Sequence, residues 1–176
     1  MDFQQLIKER RSVRAYKEKA VPHELLVKIV KDAQQAPSWA NLQASRTYVI
    51  EDREKVEEFR RTALPEGNAK RTMNSALIVT TFVKDTVAFR DGKPMTELGN
   101  KWGAYDLGLH DAYLVLAASD LGLDTLIMGI RYPDAIREYL SIPDGEIIVS
   151  VIAVGYRDEE PVMRPRKPLD DVVKFI

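Results

Sequence analysis

The sequence contains no cysteine and only two histidines, which limits the chemistry that its side chains can perform. Without cysteine there are no disulfides, thiolate nucleophiles, Cys-ligated zinc sites or iron–sulfur clusters, and a reducing compartment is favoured. His23 and His110 have no partner at the spacing of a metal-binding helix such as H-E-x-x-H. Asp106 lies one helical turn before His110, and this spacing favours a contact on one helix face over a metal site. We therefore expect no metal centre.

Excess charge and long apolar runs are also missing. The chain has 26 Lys and Arg against 27 Asp and Glu, a net charge of -1, which argues against binding nucleic acid by broad electrostatic attraction. No run reaches the roughly 18 to 20 apolar residues of a membrane span, and the opening MDFQQLIKERR lacks the apolar core of a signal peptide. We expect a cytoplasmic protein without nucleic-acid or membrane partners.

Common catalytic signatures do not occur. No G-x-G-x-x-G follows a strand, and neither a Walker-type Gly-Lys-Ser/Thr nor a G-x-S-x-G elbow is found. What the chain does have is 176 residues with 45% hydrophobic content, enough to bury a core. This length predicts a single domain over residues 1–176.

Hydrophobic periodicity predicts helices and strands without strict alternation, which fits a mixed central sheet flanked by helices. The segment KDTVAFRDGKPMTELGN has turn signals and predicts a loop or lid over a site. The helix predicted over 99–121 is apolar on most sides, and a dimer partner is a natural source of its cover. Further helices are predicted at the start of the chain, after Pro22, over 53–64 and over 133–140, and strands in RTYVIED, ALIVTTFV, DTLIMGI and EIIVSVIAVGY.

The stretch ERRSVRAY places Arg10, Arg11 and Arg14 around Ser12. Guanidinium groups present forked donors that fit a phosphate, and a nearby hydroxyl adds another donor. The alternative is a solvated helix end, where arginines offset the helix dipole and cap free carbonyls.

Two further segments have the same ambiguity. APSWANLQ offers Ser38, Asn41 and Gln43, whose side chains either read the edge of a heterocycle or form an ordinary turn after a helix. MRPRKP holds Arg164 and Arg166 in a proline-stiffened run, which is either a second anion-binding element or a solvated basic tail.

Taken together and in this order, these segments resemble the nitroreductase family of FMN-dependent oxidoreductases. RRSVRAY resembles the family's opening phosphate motif, APSWANLQ its second flavin segment, LGLDTLIMGI its strand beside the flavin ring, and MRPRK its closing basic motif. The resemblance covers essentially the whole chain. It implies an intertwined α+β homodimer with two FMN sites at the interface and C-terminal arms that wrap the other subunit.

The resemblance also implies roles for individual residues. Arg10, Arg11, Ser12 and Arg14 would contact the FMN phosphate, ribityl chain or pyrimidine edge, and Arg164 and Arg166 would complete the phosphate cage. The remaining implied cofactor contacts are Ser38 and Asn41 from the opposing subunit, Trp39 beside the ring or substrate channel, Asn68 and Arg71 near the pyrimidine side, and Ile127, Met128 and Gly129 near the reactive ring nitrogen. Met128 occupies a place where many relatives have an acidic or small residue, which bears on how the flavin is tuned.

The family implies hydride transfer from NAD(P)H through FMN to an acceptor such as a nitroaromatic or quinone, in a ping-pong cycle. The flavin carries the chemistry, so no catalytic protein nucleophile is expected. Trp39 and Trp102 are candidates for the channel wall, and Trp102 is also placed for ordinary packing. Two alternatives are a flavin-binding or flavin-consuming protein without nicotinamide turnover, and an interaction domain whose basic clusters are only surface.

Overall fold

The computed structural model describes residues 2–176 and contains a four-stranded sheet with helices on both faces. None of the helices in this range is long and apolar enough to cross a bilayer. The helices are α1 (Phe3–Glu9), α2 (His23–Ala33), α3 (Arg53–Ala63), α4 (Glu66–Arg71), α5 (Lys101–Asp120) and α6 (Pro133–Leu140), and the strands are β1 (Ser45–Ile50), β2 (Ala76–Val83), β3 (Phe89–Arg90), β4 (Lys93–Pro94), β5 (Asp124–Met128) and β6 (Glu146–Gly155).

The central sheet has the order β1-β2-β6-β5, and all three ladders are antiparallel. The predicted α+β fold is confirmed. Its mixed character is slight, since the parallel pairing among residues 2–176 is a bridge between Ser12 and Thr125. This bridge adds the chain after α1 to the outer edge of β5, so the first basic motif lies at that edge.

The two central strands are buried on both faces, as their continuous apolar runs predict. On one face, Leu77 and Val79 of β2 pack in a core with Phe59 of α3 and Ile136 of α6. On the other face, residues such as Ile78 pack in a core with side chains of α2 and α5. The result is three layers, with the sheet between two pairs of helices.

Helix α5 crosses β2 at very close range. A Cβ atom on Gly103 would lie 2.3 Å from Cδ2 of the buried Phe82 ring, so only glycine permits this approach. Apolar residues surround α5, as predicted, but one face stays exposed in the protomer, with Tyr105, Ala112 and Tyr113 along it. That face is the part of α5 that lacks cover.

In two places the structure differs in detail from the sequence prediction. The segment predicted as a loop before α5 contains a small hairpin, in which Phe89 pairs with Pro94 and Arg90 with Lys93. Asp91 and Gly92 turn this hairpin, both with positive φ. Helix α1 forms as predicted, but it buries none of its residues in the protomer, and Phe3 and Ile7 are exposed.

Candidate functional site

Residues from both ends of the chain line one cavity of about 340 Å³, which we call the arginine cavity. The first basic motif and the closing basic motif therefore meet, although the sheet and most helices separate them in sequence. The lining residues are Arg10, Arg11, Ser12, Arg14, Glu159, Glu160, Pro161, Val162, Met163, Arg164 and Arg166. All six predicted residues of the phosphate cage are among them.

Backbone pairing explains why the two ends meet. The Val13 N–H donates to Thr125 O over 3.0 Å, which holds the first motif against β5. A few residues later, the Lys17 N–H donates to Tyr156 O over 2.9 Å, just past the end of β6. Residues 12–17 thus pair first with Thr125 of β5 and then with Tyr156 and Arg157, where the closing segment leaves the sheet.

An ion pair fixes the start of that closing segment. Arg157 Nη2 lies 2.6 Å from Oδ1 of the buried Asp124, and the Arg157 N–H also donates to this carboxylate. The hydrogen bonds to Asp124 raise the pKa of Arg157. The Arg14 N–H donates to the Glu159 carboxylate, which brings the tail back to the first motif.

The arginine cavity concentrates positive charge. Burial lowers the pKa of Arg10, and the neighbouring Arg11 and Arg166 guanidiniums lower it further. Within residues 2–176, none of the cavity's five arginines forms an ion pair with a carboxylate. A bound anion would relieve this repulsion, so the donor set fits a phosphate group.

The end of β5 continues the edge that begins at the arginine cavity. Ile127 is exposed and Met128 is buried at 4% exposure, in the core that also holds Val13 and Ile148. Gly129 follows as an exposed residue outside the strand. The Met128 side chain therefore points into the core, and the open side of the strand end presents Ile127 and backbone.

Arg131 holds the loop after β5, a role that the sequence analysis does not predict. Its Nη1 donates to Gly129 O over 2.6 Å, and its Nη2 donates to Ile148 O. Burial lowers the pKa of this guanidinium, and its Nε is buried without a hydrogen-bond partner among the described residues. The sequence gives only a weak signal, an arginine directly after an apolar strand.

Asn68 and Arg71, on α4, lie beside the same loop. Asn68 Nδ2 donates to Ile130 O over 2.8 Å, and Arg71 Nη1 lies 3.4 Å from Asn68 Oδ1. The arginine cavity, the β5 edge and α4 thus form one continuous strip. It contains Arg10, Arg11, Ser12, Arg14, Asn68, Arg71, Ile127, Gly129, Arg164 and Arg166.

Ser38, Trp39 and Asn41 lie elsewhere in the protomer, on the α5 side. The Trp39 N–H donates to Asp106 Oδ2 over 2.8 Å, and the Trp39 and Trp102 rings have centroids 5.0 Å apart. Within the chain as described, none of these three residues lines the arginine cavity or forms a hydrogen bond with a residue of the strip. One protomer therefore brings together ten of the fourteen predicted cofactor residues, with the Met128 side chain turned inward.

Asp106 and His110 lie one turn apart on α5 and line the same pocket, but they are not hydrogen-bonded to each other. Asp106 accepts the Trp39 N–H, whereas His110 Nδ1 lies 3.2 Å from Oδ1 of Asp111. The other Asp111 oxygen accepts from Thr80 and Ser150 hydroxyls of the sheet. No group of three metal-ligating residues occurs in the described chain.

Further exposed apolar side chains lie at three places on the protomer. They include Phe3 and Ile7 of α1, the open face of α5, and much of the tail after residue 160. The large apolar side chains exposed in the tail are Val162, Met163, Leu169, Val172, Val173, Phe175 and Ile176. So much uncovered apolar surface is typical of a protein–protein contact.

Comparison with known proteins gives one consistent match. The sequence profile of the nitroreductase family matches residues 7–156. A Methanothermobacter thermautotrophicus protein, provisionally named NADH dehydrogenase/NAD(P)H nitroreductase, is 31% identical over 93% of this chain and 82% of its own length. A Staphylococcus aureus NADPH-dependent oxidoreductase is 32% identical over 95% of this chain and 70% of its own. A crystal structure described as an oxidoreductase containing FMN has 28% identity and a TM-score of 0.84, covering 99% of this chain and 91% of the other.

Proposed function

Because the chain belongs to the nitroreductase family, we propose that it is an FMN-dependent oxidoreductase that takes hydride from NAD(P)H and passes it to a small acceptor. The observation that carries this proposal is the arginine cavity, where two distant basic motifs converge. Neither a solvated helix end nor a loose basic tail accounts for that convergence.

The cavity's residues suit the phosphate of FMN. Arg10 and Arg11 are half-buried, which strengthens their hydrogen bonds to an anion relative to fully solvated groups. Ser12 adds a hydroxyl, and Arg14, Arg164 and Arg166 are exposed and supply further donors around the opening. These six side chains would hold the phosphate and the adjoining chain.

The rest of the strip suits the flavin ring. Ile127 and Gly129 offer an apolar wall and accessible backbone, while Asn68 and Arg71 offer polar contacts beside it. When bound, FMN supplies the hydride-accepting and hydride-donating chemistry. Cationic side chains along the strip would stabilise the negative charge of the reduced cofactor. The buried Met128 side chain leaves this surface free.

The proposed assembly is a homodimer. In the protomer, Ser38, Trp39 and Asn41 lie apart from the strip, so they would act on the other subunit's site. The open face of α5, α1 and the tail supply apolar surface for such an interface. Trp39 and Trp102 would line the channel in which the nicotinamide and then the acceptor, a nitroaromatic or quinone, take turns.

The first test is the absorbance spectrum of the purified protein, before and after incubation with excess FMN and desalting. A bound flavin is expected, followed by oxidation of NADH or NADPH when a quinone is added. Bound flavin without turnover on either donor would favour a flavin-binding or flavin-consuming protein. Protein that stays colourless would contradict the proposal and favour an interaction domain.

A further inference from the structure

The turn that carries Ser38, Trp39 and Asn41 has an unfavourable backbone. Ala40, Asn41 and Gln43 have φ angles of 47°, 56° and 49°, in the left-handed region. Asn tolerates this conformation, but in Ala and Gln the Cβ atom makes it sterically unfavourable, whereas glycine has no Cβ atom and adopts it readily. Such a conformation persists only where surrounding contacts hold it.

Bonds inside the turn close it but do not attach it to the rest of the protein. The Asn41 N–H donates to Ser38 O over 3.0 Å, and the Gln43 N–H donates to the Ser38 hydroxyl over 3.1 Å. These bonds fix the shape of the turn. The position of the turn in the protein must therefore be fixed by contacts with other elements.

At Trp39, two residues of α5 supply that external hold, and at the end of the turn Arg46 Nη1 of β1 donates to Gln43 O. Asp106 is buried at 5% exposure, and its carboxylate accepts the Trp39 N–H over 2.8 Å. Trp102, one helical turn earlier on the same face, packs its ring 5.0 Å from the Trp39 ring at an angle of 59°. One contact fixes the backbone of Trp39 and the other fixes its ring.

The buried Asp106 carboxylate depends on the hydrogen bond from the Trp39 N–H. It forms no ion pair within the described residues, although burying a carboxylate without compensation is costly. The charge-assisted hydrogen bond from the Trp39 N–H is therefore its main compensation. Trp102 is fixed in turn, because its Nε1 donates to the Thr96 hydroxyl over 2.8 Å.

We propose that Asp106 is a positioning residue, which together with Trp102 holds the strained Ser38–Gln43 turn in the place where it contacts flavin. This inference rests on the proposed FMN-dependent function. Asp106 itself touches no cofactor in this scheme. It acts through the Trp39 backbone, and its loss would release the turn while leaving the arginine cavity intact.

The test measures the turn and the cofactor separately. Two tilted indoles at this distance couple their electronic transitions, so the flavin-free protein should show an exciton couplet in circular dichroism. Trp39→Phe defines the spectrum without the couplet. Asp106→Ala should lose most of the couplet and bind FMN about tenfold more weakly, as expected from losing one hydrogen bond to a charged group.

Asp106→Asn is the milder variant and keeps the test open if Asp106→Ala folds poorly. Its amide oxygen still accepts the Trp39 N–H but lacks charge, so FMN binding should weaken by roughly threefold, less than in Asp106→Ala. Asp111→Asn is the matched control. It alters a buried carboxylate on the same helix that binds sheet hydroxyls, so it should lower thermal stability but retain the couplet and FMN affinity.

The outcomes separate this inference from the proposed function. If the wild-type protein binds FMN and both Asp106 variants keep the couplet and the affinity, the positioning role is wrong and the function stands. If the couplet falls while FMN affinity stays, Asp106 holds the turn but not for flavin, which also overturns the inference. A wild-type protein that binds no FMN contradicts the proposed function, whatever the couplet shows, and the flavin role of Asp106 with it.

Discussion

Arg10 and Arg166 share one cavity, although they belong to opposite ends of the chain. Arg10 is half-buried, and its pKa is lowered first by that burial and then by the Arg11 and Arg166 guanidiniums. Without an anion the fold therefore holds like charges together at a cost in free energy. A phosphate would turn that repulsion into a set of charge-assisted hydrogen bonds.

Replacing either arginine should weaken cofactor binding. Arg10→Ala and Arg166→Ala should each reduce FMN affinity by about 1 to 3 kcal/mol, the effect of losing a charged hydrogen bond to phosphate. Quenching of FMN fluorescence on titration measures this affinity. Arg61→Ala, which removes an exposed arginine of α3, is the control and should bind like the wild type. Unchanged affinity in both cavity variants would contradict the phosphate cage.

The open face of α5 should be part of the dimer interface. Ala112 is exposed in the protomer, and Ala112→Glu would bury an unpaired charge in that interface. The dimer should weaken by about 3 kcal/mol, roughly a hundredfold in dissociation constant. Light scattering measures the mass, and the resulting monomer should also lose FMN. Lys31→Glu places the same negative side chain at an exposed position of α2, with an even larger change in charge, and should remain dimeric. A wild-type monomer that still retains FMN would refute the interfacial site.

The contact between Gly103 and Phe82 predicts a local overpacking effect. In Gly103→Ala the new methyl group would meet the buried Phe82 ring, and the helix must shift away from β2. We expect a loss of about 1 to 3 kcal/mol in the free energy of unfolding, measured by urea denaturation. Gly67→Ala on α4 adds a methyl group where nothing lies within 4 Å. It should be neutral or raise stability by up to about 1 kcal/mol, and equal losses in both variants would contradict the explanation.

Tyr16 should make the fold sensitive to alkaline pH. It is buried, its hydroxyl donates to Val13 O over 2.9 Å, and burial followed by the nearby Asp124 and Glu159 carboxylates raises its pKa above the usual 10. The unfolded chain therefore ionises first, so this stabilisation is complete below about pH 10 and falls as pH rises further. The slope contributed by Tyr16 should approach about 1.4 kcal/mol per pH unit above pH 10.

Urea unfolding at pH 8 and pH 11 measures that dependence. Tyr48 and Tyr139 also have raised pKa values, mainly from burial, and lose stability in the same direction. Tyr16→Phe should be less stable at pH 8, because it lacks the hydrogen bond, but should lose less on going to pH 11. An identical loss in Tyr16→Phe and the wild type would show that Tyr16 is not the group responsible.

Much of the fold follows from local patterns in the sequence. Continuous apolar runs predict β2 and β6 as buried strands, and helical spacing predicts α2, α3 and α5, because hydrophobic burial and backbone geometry act over a few neighbouring residues. The family and the α+β class are also confirmed. Each basic motif by itself is ambiguous, because the same residues suit either an anion-binding element or an ordinary solvated surface.

The rest depends on contacts between distant segments. Asp106 bonds to Trp39 rather than to His110, a choice made by the path of the Ser38–Gln43 turn and not by helix spacing. The sequence does contain one signal for this contact, because a carboxylate inside an apolar helix needs a hydrogen-bond donor. Arg131 caps carbonyls of Gly129 and Ile148 that only the folded sheet brings together.

The residues that complete the arginine cavity come later in the chain than those that build the two cores. Both apolar cores and strands β1 to β6 are complete by Tyr156, whereas one wall of the cavity comes from residues 159–166. A growing chain can therefore complete both cores before it has synthesised the closing wall of the proposed phosphate site. Only the closing wall of the proposed phosphate site lies outside the stretch that builds the cores, so substitutions in residues 159–166 should alter cofactor retention with little effect on stability.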